Sequence, residues 1–237
     1  MAPWPGFVLA GIAIGLITGL FGVGGSSVAT PVLSLLGVPG LFAVASPLPA
    51  TIPSAALAAE PYVRAGEARP RAAAWTLLGA VPATVAGAWL AHIVGGPRLL
   101  VVSGIVLLVV GVRLLPRIDP TRRLIGIARR KRRSILVAAA AAVGLFTGLL
   151  ANGGGFLLVP MYLLLFGLNM RESAGTSLLV VALLALPTLA AHLALGHVNW
   201  AVAGAFALGS VPTSAVSARL AHLVPRYRRS DLPSGGS

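Results

Sequence analysis

Twice in this chain an apolar, helix-like run meets a cluster of glycines and small polar residues and then resumes around a proline: GLFGVGGSSVATP at residues 19–31 and GLLANGGGFLLVP at 148–160. Glycine weakens a helix interior by about 1 kcal/mol. A break exposed to lipid would in addition leave backbone N–H and C=O groups unpaired, at several kcal/mol each. Such an interruption persists inside a membrane only where protein or a water-filled cavity surrounds it. Gly11, Gly15 and Gly19 recur every four residues, the small-residue spacing that lets helices approach closely, and are assigned to packing. The contiguous Gly24-Gly25-Ser26 and Gly153-Gly154-Gly155 are instead read as helix breaks that face a ligand or ion, with Pro31 and Pro160 supporting them.

The rest of the chain supplies the membrane that this reading needs. It is 57% hydrophobic and only 10% charged, where a soluble domain has about a quarter of its residues charged, and its mean hydropathy is +0.93. The absence of cysteine excludes a disulfide framework and a thiolate metal site. A formal charge of +13 invites nucleic acid, but the basic residues lie in short inter-helix segments without interleaved aromatics, which fits membrane orientation better. The opening MAPWPGF has no basic side chain ahead of its apolar run, unlike a secretory signal, so that run is expected to be retained.

With about 20 apolar residues needed per crossing, helical segments are expected at 6–22 and 27–37 around the first break, then at 41–63, 72–94 and 98–115. A basic loop at 116–133 precedes segments at 134–151, 155–167, 172–195 and 200–224. Shifting the first half by 129 or 130 positions lays it on the second: Gly15, Gly19, Gly24, Gly25 and Pro31 fall on Gly144, Gly148, Gly153, Gly154 and Pro160. Further on, Ser46 falls on Thr176, Tyr62 on His192, Gly66 on Gly196, Gly79 on Gly209 and Pro82 on Pro212. That is an internal duplication. The second copy is expected to be shortened, because the counterpart of helix 98–115 would begin near residue 228, where the sequence reads RRSDLPSGGS.

Basic residues orient the halves. Residues 113–133 hold nine of the 18 Lys and Arg, which places that loop in the cytoplasm, and the loop carrying Arg64, Arg69 and Arg71 falls on the same side. In the second half the bias inverts: GHVNW at 196–200 has no Lys or Arg, while Arg219, Arg226, Arg228 and Arg229 follow the next helix. The repeats are therefore expected to insert upside down relative to each other, with the N-terminus outside and the C-terminus cytoplasmic. Inverted repeats that meet at broken helices are a plan of secondary transporters.

At these residues the sequence resembles the TauE/SafE family, the sulfite exporter family of bacterial membrane proteins. The likeness rests on GLITGLFGVGGSSVATPVL at 15–33, on GLFTGLLANGGGFLLVPMY at 144–162, and on Ala-Gly-Thr-Ser at 174–177. The resemblance implies an α-helical carrier of small sulfur-containing anions such as sulfite, sulfonates or sulfoacetate. The first motif departs from it in reading Gly-Gly-Ser where the family commonly has three glycines.

If the broken helices face each other, their half-helix N-termini offer N–H groups and about half a positive charge apiece, which suits an oxyanion. The candidate substrate-binding residues are Gly24, Gly25, Ser26, Ser27, Ser46, Asn152, Gly153, Gly154, Gly155, Thr176 and Ser177. Glu60 and Arg64, four apart near a helix end, are expected to pair, and Glu172 beside Arg171 opens a helix where an acid offsets the dipole. His192, in the last turns of its helix, is read as a snorkelling interfacial side chain, and His92 and His222 as helix-end markers.

The expected fold is an all-α integral membrane protein, a polytopic bundle of two inverted repeats that each open with a glycine-broken helix, with seven to eight spans. Its parts are a first repeat at 1–115, the cytoplasmic loop at 116–133, a second repeat at 134–225 and a polar tail at 226–237. The expected function is transport of a small anion by alternating access in the cell membrane, not enzymatic catalysis. The alternatives are a carrier of another small solute and a non-transporting membrane scaffold. Expected partners are the lipid bilayer, the anion, and a coupling proton or sodium ion. A homo-oligomer is compatible, and neither a cofactor, a metal nor nucleic acid is expected.

Overall fold

The computed structural model describes residues 4–22, 24–94, 101, 105, 108, 129–150 and 155–223. Every regular element among them is helical: α1 (Trp4–Phe21), α2 (Ser26–Leu35), α3 (Gly40–Ala45), α4 (Leu48–Arg64), α5 (Pro70–Val94), α6 (Arg129–Leu150), α7 (Gly155–Met161) running into a π turn (Tyr162–Phe166), α8 (Met170–Ala194) and α9 (Trp200–Leu223). Five helices are long and apolar enough to cross a membrane, with α3 and α4 counted as one, and Ser134–Leu149 of α6 is a shorter apolar helix. This is a multi-pass membrane protein. Helix α2, at 10 residues, rises roughly 15 Å, half the hydrocarbon thickness.

The element ends follow local chemistry. Gly22 ends α1 with φ +69, Gly37 ends α2 at +87, and Gly66 and Gly196 end α4 and α8 at +67 and +70, a region that favours glycine. Asn169 and Glu172 cap α8 reciprocally, the Asn169 side chain accepting from Glu172 N at 2.9 Å and the Glu172 carboxylate from Asn169 N at 3.1 Å. The expected segment at 41–63 is interrupted only in its hydrogen bonding. Pro47 has no N–H to give, yet Ser46 (φ −62, ψ −28) and Pro47 (φ −70, ψ −18) stay helical. Helix α6 begins at Arg129, so 129–133, expected to be loop, is helical, in keeping with the good helix propensity of Arg and Lys. The expected helix at 98–115, apart from residues 101, 105 and 108, the loop at 116–128 and the tail at 226–237 lie outside the described residues.

The halves interlock. Helix α1 packs on α9 and α6 packs on α5, so the first helix of each repeat lies against the last helix of the other, while α4 and α8 cross at the centre. In lipid no hydrophobic force drives helices together, and close packing must serve instead. The glycines provide it: Gly15 lies against Ser210 and Gly19 against Ser214 and Ala218, while Gly144 lies against Ala80 and Gly148 against Thr84 and Ala88. These are the same contacts under the 130-residue shift, so the packing role expected of Gly11, Gly15 and Gly19 is what the α1–α9 seam displays. Hydroxyls add cross-seam bonds, Ser217 Oγ donating to Gly15 O at 3.2 Å and Thr84 Oγ1 to Gly144 O at 2.9 Å. Leu208, Trp89 and Leu9, 74%, 68% and 64% exposed, face outward as a lipid-contacting surface requires.

Candidate functional site: two facing helix breaks

The two breaks meet at the N-terminal part of α8. Gly22 lies against the backbone of Ala174, and a Cβ there would stand 2.5 Å from Ala174 Cα. Ser177 Oγ donates to Gly22 O at 3.0 Å and lies 3.4 Å from Gly155 O, so one hydroxyl ties both breaks to α8. Directly across, a Cβ on Gly24 would lie 3.3 Å from Gly155 N and 3.3 Å from Val181 Cγ1. The residue before α2, Gly25, offers no side-chain cap to that helix's N-terminus. Ser26 is fully buried there, and the backbone of Ser27 continues the helix. Asn152, Gly153 and Gly154 lie outside the described residues. Pro31 sits inside α2 and Pro160 inside α7, and each lacks the N–H that would bond one turn back.

Ser46 and Thr176 occupy equivalent places away from the breaks. Thr176 Oγ1 accepts from Arg69 N at 3.0 Å and donates to Glu172 O at 2.6 Å, and Ser46 Oγ accepts from Asn199 N at 3.0 Å. Each hydroxyl thus holds the loop that precedes a helix, α5 in one half and α9 in the other. Among the described residues the acids form ion pairs at helix ends: Glu60 with Arg64 at 2.5 Å and with Arg219 at 3.9 Å, Glu67 with Arg171 at 3.7 Å, and Glu172 with Arg69.

Two features went unseen in the sequence. Behind Gly25 a cavity of about 10 Å³, lined by Thr18, Thr51, Ser54 and Ser210 among others, has room for about one water molecule. Thr18 Oγ1 donates to Ile14 O at 2.8 Å and Thr51 Oγ1 to Pro47 O at 3.0 Å, so those oxygens keep their lone pairs for whatever the cavity holds. A larger cleft of about 470 Å³ along the α4–α8 seam is lined by Glu60, Arg64 and apolar side chains and includes no break residue. The second feature is a pair of clamps. Tyr62 Oη donates to Gly19 O at 3.2 Å, and its repeat mate His192 places Nε2 3.3 Å from Gly148 O. His192 is fully buried, which corrects the snorkelling expectation. Its helix ends beneath other protein, because α6 passes over it at Gly148.

Facing broken helices at the centre of a multi-pass bundle define a class, the membrane proteins with a break-lined central site. The family model of the sulfite exporter TauE/SafE matches residues 7–229, and the chain belongs to that family. It is 28% identical over 221 residues to a probable membrane transporter protein of Xylella fastidiosa, covering 90% of this chain and 82% of that one. It is 22% identical over 231 residues to the probable membrane transporter protein YjnA of Bacillus subtilis, covering 93% and 90%. A third relative, the probable membrane transporter protein YunE of the same organism, shares 33% identity over 93 residues, which is 39% of this chain and 33% of that protein. No solved structure matches the chain.

Proposed function

We propose that this chain carries a small anion across the membrane by alternating access at the facing breaks, and that the anion is sulfite or an organosulfonate. The observation that carries this reading is the apposition of Gly24 and Gly155, which brings two broken elements from opposite halves to one point. Membership in a family of membrane transporters supports carriage of a small solute. The ion pairing of Glu60, Glu67 and Glu172 at helix ends favours an anion over a cation, because it leaves these carboxylates away from the breaks. The proposed site consists of Gly24, Gly25, Ser26, Gly155 and Ser177, joined by Ser27, Asn152, Gly153 and Gly154 on their place in the sequence motif. Neutral donors net about 0.5–1.5 kcal/mol each, so binding is modest and small oxyanions are preferred.

Sulfite flux into proteoliposomes, compared with sulfate and a carboxylate control, tests the reading. Asn152→Asp puts a fixed negative charge where the substrate's charge belongs, and it is expected to reduce sulfite flux far more than Asn152→Ala does. Flux by the Asp variant at or above that of the Ala variant would remove Asn152 from the site. For orientation, we propose the N-terminus outside and the C-terminus cytoplasmic, from the inverted Arg bias. Reporters active on one side of the membrane, fused after residues 66 and 197, are expected to report opposite sides, and the same side at both would refute the inversion.

A further inference from the structure

The helix-end geometry of α8 brings two imidazoles together. Gly196, in the left-handed region, closes a cap in which Gly196 N donates to Leu193 O at 3.0 Å and His197 N to His192 O at 3.0 Å. The cap folds residue 197 back over residue 192, and the Nδ1 atoms of the two rings lie 3.2 Å apart. His197 is 7% exposed and His192 is fully buried. From the loop inward the chain of contacts is therefore His197, His192, then Gly148 O at 3.3 Å, on the last turns of α6 just before the second glycine cluster.

Hydrogen-bond logic assigns the protons. A carbonyl accepts only, so His192 Nε2 carries hydrogen toward Gly148 O, and in a neutral ring its Nδ1 is then the acceptor. His197 must donate from its own Nδ1, which leaves His197 Nε2 as the nitrogen that takes an added proton. One extra proton keeps every bond of the chain and turns the Nδ1–H···Nδ1 link into a stronger, charge-assisted one. A second proton, on His192 Nδ1, would set two N–H groups against each other between two cations. The pair is built to hold one proton and to resist a second.

The first repeat lacks this device. The same cap, Glu67 N donating to Tyr62 O at 2.9 Å, sets Tyr62 against Gly19 O with a phenol that stays neutral at physiological pH. Acids and bases of the elements packed on α8 are engaged elsewhere: Glu60 with Arg64 and Arg219, Arg171 with Glu67, Arg69 with Glu172, and Tyr162 Oη with Thr76 at 2.9 Å. Arg71 is exposed near the start of α5. The side chains of His92 and of residues 129–133 lie outside the described residues, and the latter begin α6, roughly 25 Å along the helix from Gly148.

We propose that His192 and His197 form a proton-binding site, reached from the loop between α8 and α9 and linked through the Gly148 carbonyl to the second break, so that solute movement is tied to proton movement. The proposal rests on the transport reading above for its function but not for the site itself. The cargo is one proton per pair, carried on His197 Nε2.

The test exploits the repeat. His192→Tyr copies Tyr62, keeping a donor for Gly148 O while removing the pair, and His197→Gln removes the proton acceptor. Full-length protein with ¹⁵N-labelled histidine, in lipid nanodiscs, is titrated by NMR, the variants identifying the two rings. The expected result is a coupled pair that takes up one proton between about pH 5 and 8, with the coupling lost in either variant. Two rings that titrate independently in the unsubstituted protein would overturn the site. In proteoliposomes holding a pH dye, an applied sulfite gradient is expected to drive proton flux that falls about tenfold or more in His192→Tyr, a loss in the usual range of coupling between sites. Equal proton flux in that variant would overturn the coupling. If the unsubstituted protein moves no sulfite, the substrate reading fails and the NMR titration decides the proton site alone.

Discussion

Gly148→Val is expected to leave little folded protein in the membrane. The α5–α6 seam is closed at this point by backbone on backbone: a Cβ on Gly148 would overlap Thr84 O and would stand 2.7 Å from Thr84 C and 2.8 Å from Ala88 N. None of these is a side-chain tip that can rotate away. The helices must separate, and separation also strains the bond from Thr84 Oγ1 to Gly144 O one turn earlier. Overpacking costs about 1–3 kcal/mol and occasionally more, and each 1.4 kcal/mol is tenfold in an equilibrium. A bundle held by contact rather than by water exclusion has little in reserve against it. Gly204, with nothing within 4 Å of its notional Cβ, is the control. Size-exclusion profiles of fluorescent fusions should show a tenfold or greater loss of the monodisperse peak for Gly148→Val and none for Gly204→Val. Equal peaks for Gly148→Val and the parent would mean that the seam is looser than these contacts describe.

That seam also shows where the sequence was readable and where it was not. The duplication was legible because glycines and prolines are punctuation: Gly66 and Gly196 lie at matching left-handed caps, and Gly15 and Gly144 at matching contacts. The stripe of Gly11, Gly15 and Gly19 announces that a helix comes close but not which one. Its mate, the run Ser210, Thr213, Ser214 and Ser217 on α9, has hydroxyls at helical spacing that might have been read as a polar face. A repeat alone leaves open whether the first helix of each copy packs on its own half or on the other, and here it packs on the other.

The site was less legible than the fold because hydroxyls do not declare their partners. Ser46, Thr176 and Ser177 look alike in sequence, yet only Ser177 reaches the breaks, while the other two hold loops through Asn199 N and Arg69 N. His192 was misread for a related reason. Its place in the last turn of a long helix suggests an interface, but burial is decided by α6, whose approach at Gly148 no local pattern in α8 reveals. Charged pairs fared better, since Glu60 and Arg64 are four apart on one helix and meet as that spacing dictates.

At Gly24 the expected result is the reverse of that at Gly148, with fold retained and transport lost. A Cβ there meets Gly155 N at 3.3 Å and the Val181 methyls at 3.3 and 3.4 Å, contacts that are tight but that yield by a few tenths of an ångström, since Val181 can turn. Alanine should therefore fold, and so should valine, with yields close to the parent. What both remove is access, because the new carbon stands in front of Gly155 N, the nitrogen that opens α7. A hydrogen bond to a charged group is worth about 1.5–3 kcal/mol. Masking that one donor should therefore cut sulfite flux by about ten- to a hundredfold in Gly24→Ala, and the two further methyls of Gly24→Val should take it to background. Measured with the same fusions and proteoliposomes, the pair Gly24→Val and Gly148→Val separates function from architecture: the first loses flux with its peak intact, the second loses both together. Should Gly24→Val transport like the parent, the gap between the breaks is not the path. Should it instead lose its folded peak as Gly148→Val does, the breaks serve packing alone, and the hydroxyl-lined cavity behind Gly25 becomes the place where a solute must be sought.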